Sequence, residues 1–220
     1  SELITERTSA ILGVHLWGIA CDIDALHVLA EQHQIALVFD AAHALACTYQ
    51  GQWISNFGAA EVFSFHATKF INALEGGAIT TNSDQLAKQL RQWINFGYDE
   101  NAEVQLPGIN AKMNEVSAAV GLNGLNSLDE IVALNRDRYL QYQQIFAGLP
   151  GIRLYPFQAQ EKYNYQYVII EVDADVFGLS RDQLWQLLQA EQILVRRYFY
   201  PGCHTMKPYL DLPADLPVTD

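Results

Sequence analysis

A lysine and a carboxylate each close an apolar run in this chain, and their chemistry is complementary. Lys69 follows Val62, Phe63 and Phe65, the composition of a short buried strand, after a break at His66-Ala67-Thr68. In open α/β sheets ligands bind where strands exit, because loops from neighbouring strands converge there. Phe65, Phe70, Ile71 and Leu74 flank the lysine, and an apolar setting lowers the pKa of an ammonium toward that of a usable amine. Asp40 ends the run Ala36-Leu37-Val38-Phe39, which reads as a parallel strand buried on both faces, and His43 follows. A carboxylate in that position needs a partner. Pyridoxal phosphate supplies one: its ring nitrogen is a cation when hydrogen-bonded to a carboxylate, and a lysine amine forms a Schiff base with its aldehyde. Each residue also has a plainer role open to it: Lys69 as a solvated loop charge, Asp40 as a helix N-cap or turn residue, His43 as a core histidine with a satisfied ring.

The elements that must carry these groups follow from periodicity and punctuation. Ala10 to Leu16 reads as a buried strand needing neighbours on both sides, and 22–34 as an amphipathic helix with Asp22 as N-cap. With the strand after it, this makes a right-handed crossover. Cys47 to Phe57 reads as turns or a small hairpin, and Gly76-Gly77 turns the chain into a strand over 78–81. Asp84 to Phe96 has the spacing of a surface helix, and a polar loop follows from Gly97 to Gly108. Ala111 to Leu125 and Leu128 to Phe146 read as two helices, or as one interrupted near Gly121 and Gly124. Pro150-Gly151 marks the internal boundary, so that 1–149 and 150–220 are expected as a larger and a smaller α+β domain. Beyond it, Ile152 to Leu154, Tyr163 to Asp173 and Ile193 to Tyr200 are expected as strands, with a helix from Ser180 to Glu191 capped by Ser180.

Composition narrows the function classes. The chain has 220 residues, half of them hydrophobic, and a net charge of −12, enough length for a sizeable core and the wrong sign for neutralising nucleic-acid phosphates. Cys21, Cys47 and Cys203 are widely separated, without the pairing of a disulfide framework or the spacing of a metal site. A reduced, cytoplasmic protein is expected, with no membrane-spanning run and no bound metal.

Several ordered motifs together resemble one family. DAAHA at 40–44, SFHATK at 64–69, EGGAITTN at 75–82 and GINAKMNEVSAAVGL at 108–122 are similar to the signature segments of the DegT/StrS nucleotide-sugar aminotransferases. The likeness extends from ILGVHLWG near the start to RRYFYPGCH near the end. It implies a fold-type-I pyridoxal-phosphate enzyme: an α/β/α sandwich around a mostly parallel sheet, with a smaller C-terminal α+β domain. It also implies the Schiff base on Lys69, the ring-nitrogen contact on Asp40, a ring or O3′-side contact on His43 and a phosphate contact on Ser64. By the same resemblance Asn110 reaches the cofactor phosphate of the other subunit in a homodimer with shared sites. Locally, Asn110 reads instead as the N-cap of the helix expected from Ala111. The implied reaction moves an amino group from a donor, glutamate, to a keto-sugar nucleotide, with a dTDP-4-keto-6-deoxyhexose as the nearest match. Lysine at position 69, where dehydratases of the family carry histidine, marks a transaminase. Phe70 and Leu74 depart from the family's usual asparagine and glycine, altering the wall beside the amine. The resemblance further implies chain before and after this segment, so an internal fragment is expected. A catalytically inactive remnant and a non-enzymatic regulator on the same fold are the alternatives.

Overall fold

The computed structural model describes residues 2–212 and 216, in two compact units: Ser1–Ala147 with Leu154–Ile169, and Gly148–Arg153 with Ile170–Asp220. The first unit is built on strands β1 (Ala10–Val14), β2 (Ala36–Asp40), β5 (Ala60–Ser64) and β6 (Gly77–Thr80), with helix α1 (Ile23–His33) between β1 and β2 and a small hairpin, β3 (Thr48–Tyr49) and β4 (Gln52–Trp53), between β2 and β5. The sheet order is β1-β2-β5-β6. The first two pairings are parallel and the last is antiparallel. Gly77 opens β6 opposite Ser64, where a Cβ would stand 2.6 Å from the Phe63 carbonyl oxygen, so the close approach of the two strands requires glycine.

Alternation along the strands decides which side is core. Leu37, Phe39 and Phe63 are buried with Ile23 and Ala30 of α1, and Phe39 is 0% exposed at the centre. Gly13 is needed beside it, since a Cβ there would meet the Phe39 ring at 2.6 Å. The other face differs from expectation. Leu12 of β1 is 65% and Val62 of β5 41% exposed, so β1 and β5 are covered on one face, and among the described residues β1 is an edge strand without a second neighbour. Apolar content alone does not distinguish a strand packed on both faces from one packed on one face. Asp22 caps α1 as expected, its Oδ1 accepting from the Ala25 amide at 3.0 Å.

Helices α2 (Asp84–Trp93), α3 (Glu115–Asn126) and α4 (Leu128–Phe146) complete the helical part of this unit. The α3–α4 break falls at Ser127, beyond both glycines. Helix α3 begins later than its sequence spacing indicated: Asn114, not Asn110, is the N-cap, its Oδ1 accepting from Ser117 N–H at 2.9 Å. Two asparagines precede the same apolar periodicity, and only backbone geometry chooses between them.

In the second unit, β7 (Ile152–Leu154) pairs with β8 (Ile170–Val172), followed by α5 (Ala174–Phe177) and α6 (Arg181–Ala190). Ser180 and Gln183 form a capping box on α6. Two expected strands are not formed as drawn. Of 163–173 only Ile170–Val172 enters a ladder. In the preceding stretch Asn164, 0% exposed, donates from Nδ2 to the His43 and Leu45 carbonyls at 2.8 and 2.9 Å, while Tyr163 and Tyr165 pack with Phe157 and Tyr139. The stretch 193–200 makes no ladder either. Trp185 and Gln189 of α6 both donate to the Val195 carbonyl, and Arg197 stacks between Trp185 and Tyr200. Side chains meet backbone needs that a neighbouring strand would otherwise meet.

Among the described residues, no helix is long and apolar enough to cross a membrane, no three His, Cys, Asp or Glu residues gather as metal ligands, and the cysteines are free. Asn164→Ala removes the donors to two carbonyls and leaves both in a dry setting, so urea unfolding should show a loss of about 2–4 kcal/mol.

Candidate functional site

The parallel β2–β5 pairing puts Asp40 opposite Val62, so the carboxyl ends of both strands open onto the same edge of the sheet. Asp40 is half-buried. Its carbonyl accepts from His15 N–H at 2.9 Å, and its Oδ1 takes Ala42 N–H at 2.9 Å. The turn role expected for Asp40 is therefore real, and it occupies one carboxylate oxygen. The chain reverses through Ala41–Ala44 and brings His43 back toward this edge, where its Nδ1 accepts from Trp17 N–H at 3.3 Å. A backbone amide can only donate, so the ring proton sits on Nε2 and the imidazole is neutral. The His43 ring lies 4.7 Å from that of Tyr167. Burial, then the charge of Lys69, lowers its pKa to about 4, against a smaller opposing effect of Asp40.

After β5, Ser64 and His66 shape the turn that delivers the lysine. Ser64 Oγ accepts from His66 N–H at 3.3 Å, leaving its own hydroxyl proton to donate elsewhere. Lys69 N–H donates to the His66 carbonyl at 2.9 Å. The Lys69 amine is half-buried, and burial lowers its pKa, with Asp40 opposing. Lys69, Asp40 and His43 thus lie close enough to act on one another electrostatically, and none of them is a fully solvated surface group. An amine whose pKa burial lowers, a carboxylate at a strand end, a neutral imidazole and a hydroxyl donor form a set able to bind an anionic heteroaromatic aldehyde and exchange protons with it.

The contacts of Asn110 are with a different segment. The residue is exposed and bridges Asn95 in a short antiparallel contact, on a segment anchored by Ile109 N–H to Trp93 and Ala111 N–H to Ile94. Several neighbours of the site carry no sequence signal that would find them. Tyr167 and Asn164 come from a stretch that reads as strand, and Asn72 lies in an otherwise apolar loop. Their roles depend on which groups the fold sets opposite them.

A sequence model of the DegT/DnrJ/EryC1/StrS aminotransferase family matches residues 1–220. The dTDP-4-amino-4,6-dideoxy-D-glucose transaminase of Shigella dysenteriae is 36% identical over 211 residues, 96% of this chain and 57% of that protein. The structure of DesI in the presence of its TDP-sugar product superimposes with a TM-score of 0.92 at 44% identity, over 98% of this chain and 55% of that one. The PMP form of the putative sugar aminotransferase Spr1654 from Streptococcus pneumoniae gives a TM-score of 0.86 at 25% identity, over 97% and 59% of the two chains. This chain spans a little over half the length of these relatives.

His43 makes stability depend on pH in a stated direction. Its folded value of about 4 lies below the ordinary 6.5, so the unfolded chain takes up the proton first. The contribution of His43 is intact above pH 6.5 and is lost as pH falls toward 4. Thermal denaturation across that window should show a slope that flattens in His43→Gln; an unchanged slope assigns the dependence to other groups.

Proposed function

We propose, from the premise that the chain belongs to the DegT/DnrJ/EryC1/StrS aminotransferase family, that it carries the pyridoxal-phosphate centre of a nucleotide-sugar aminotransferase. The observation that carries this reading is the electrostatic grouping of Lys69, Asp40 and His43 at the carboxyl ends of two parallel strands. The names of the relatives support a dTDP-linked 4-keto-6-deoxyhexose as the acceptor. Glutamate is the proposed amino donor, by family resemblance. In the finer fold assignment, a fold-type-I α/β/α sandwich, residues 1–149 are part of the large cofactor-binding domain and 150–220 part of a smaller C-terminal one.

Pyridoxal phosphate fits the residues present. When bound it supplies an aldehyde for an amine and an electron sink for the carbanion left when a proton departs from the substrate carbon. Lys69 is the amine. Burial raises its neutral fraction, so it can take a proton from the substrate carbon and return it. Asp40, whose second carboxylate oxygen lies outside the turn bond to Ala42, holds the ring nitrogen proton. Neutral His43 orients the ring without adding charge, and Ser64 donates its hydroxyl to the phosphate. Asn110, an exposed residue, serves the phosphate of a second subunit in a homodimer.

Lys69→Ala should abolish the borohydride-reducible cofactor adduct while leaving the far-UV CD spectrum in place, because the side chain is asked for a covalent bond rather than core packing. A reducible adduct surviving in that variant moves the role to another lysine. Asp40→Asn should cut turnover by orders of magnitude and weaken cofactor binding less; unchanged turnover removes the ring-nitrogen role.

The shared-site reading is tested by mixing. Lys69→Ala and Asn110→Ala homodimers should each be impaired, whereas an isolated heterodimer of the two keeps one site with both groups and recovers up to about half the activity of the parent enzyme. No recovery above either homodimer places Asn110 outside the partner's site.

A further inference from the structure

The loop that carries Lys69 is closed by an asparagine. Asn72 donates from Nδ2 to the Lys69 carbonyl at 3.3 Å and accepts Leu74 N–H on Oδ1 at 3.2 Å. Leu74 has a φ of +65°, in the left-handed region that a residue with a branched, bulky side chain adopts only at a cost. Around this pair the chain is anchored. Ile71 and Ala73 are buried on either side of Asn72, Ala73 N–H donates to the Phe65 carbonyl at 2.9 Å, and Phe65 N–H donates to the Gly76 carbonyl at 2.8 Å.

The Lys69 backbone is held on both of its polar groups. On the amide side, Lys69 N–H reaches the His66 carbonyl; the His66 Nδ1 accepts Thr68 N–H at 3.2 Å, and its Nε2 stands 3.5 Å from Glu75. On the carbonyl side the tie is Asn72. A lysine side chain has four rotatable bonds and amplifies any rotation of its own backbone, so a tie at the carbonyl restricts where the amine can sit.

We infer that Asn72 is a positioning residue for Lys69: by bonding the Lys69 carbonyl to the left-handed turn at Leu74, it holds the amine at the carboxyl edge of the sheet. The inference deepens the functional reading above and rests on Lys69 being its reactive amine. Burial lowers the pKa of that amine, which makes its titration a report of where it sits. Without the tie, the turn keeps its His66 bonds and the bond from Gln166 Nε2 to the Thr68 carbonyl at 3.3 Å, but the Lys69 carbonyl loses its bond to Asn72, the amine regains water, and its pKa rises toward the ordinary value.

Two demands on Asn72 separate by substitution. Glycine adopts the left-handed region at no steric cost, so Leu74→Gly removes the need to stabilise Leu74 but does nothing for the Lys69 carbonyl. Serine at position 72 can donate its hydroxyl to a carbonyl three residues back, so it restores the tie to Lys69 in a smaller form.

The experiment is a lysine-labelled NMR titration of the full chain without cofactor, with the Lys69 signal assigned as the one lost in Lys69→Arg. The expected result is that Lys69 titrates below the other lysines, and that Asn72→Ala and Asn72→Ala/Leu74→Gly both raise its pKa. Each unit of rise removes about tenfold of the free amine near neutral pH, and imine formation with added pyridoxal phosphate should slow by the same factor. Asn72→Ser/Leu74→Gly should return the titration toward that of the parent chain. If Asn72→Ala does not fold, the double variant, relieved of the strain at Leu74, carries the test. A Lys69 titration in Asn72→Ala/Leu74→Gly unchanged from that of the parent chain overturns the inference and leaves Asn72 as a support for Leu74 alone. A parent chain in which Lys69 responds to these substitutions but gives no borohydride-reducible adduct keeps the positioning role and sinks the aminotransferase reading instead.

Discussion

The parallel pairing of β2 and β5 is the constraint on which the site depends. Parallel neighbours end on the same side of a sheet, so a residue that closes one strand and a turn that leaves the other are brought together whatever lies between them in sequence. The register sets Asp40 beside Val62, and the chain has only to turn once more, through Ser64 to His66, to present Lys69 on that side. An antiparallel arrangement of the same two strands would put the groups at opposite ends of the sheet. The antiparallel β6 then returns the chain alongside β5 and closes the lysine loop against its own strand.

Behind that edge lies a polar arrangement inside the core. His15 and Glu61 are fully buried, with His15 Nε2 standing 3.5 Å from Glu61 Oε1 and the His15 ring stacked on Phe39. His15 Nδ1 accepts from Cys21 N–H, which puts the ring proton on Nε2, facing the carboxyl group; the other oxygen of Glu61 takes Phe57 N–H at 3.2 Å. Removing one partner of such a pair strands the other in a dry setting, so both are tied to the packing around Phe39. The Cys21 thiol lies 3.5 Å from the same imidazole nitrogen, which aligns a cysteine, a histidine and a glutamate. Burial foremost, with the negative charges of Asp22 and Glu61, raises the thiol pKa, so the alignment does not generate a nucleophilic thiolate.

The contrast between the packed face of the sheet and its carboxyl edge explains how a partly buried amine is held in a modest fold. One side is filled by Phe39, Leu37, Phe63 and helix α1 and is rigid. The turns at the carboxyl edge are held instead by short-range bonds from polar side chains: Asp40 to Ala42, Ser64 to His66, Asn72 to Lys69 and Leu74. The core fixes where the strands end, and these local bonds fix the direction in which each functional side chain leaves. Asn164 joins the two levels by reaching from a distant stretch to the carbonyls of the loop that carries His43.

Much of this was legible in the letters alone. The strands at 10–14, 36–40 and 60–64, the capping of α1 by Asp22 and of α6 by Ser180, and the groups Asp40, His43 and Lys69 at the exits of apolar runs follow from patterns that act over a few residues. The misreadings share one cause. Tyr163 to Ile169 and Ile193 to Tyr200 have strand composition, but their backbone and ring partners are supplied by residues distant in sequence or on the next helix, and composition carries no record of those partners. The same limit applies to Asn114 over Asn110 as helix cap, to the uncovered face bearing Leu12 and Val62, and to Asn72. The sequence by itself determined which residues can form strands, caps and reactive groups, because those propensities are properties of the local chain. Only the tertiary structure decided that Asp40, His43 and Lys69 act on one another, because that depends on parallel register and on how much water the packing leaves around each group.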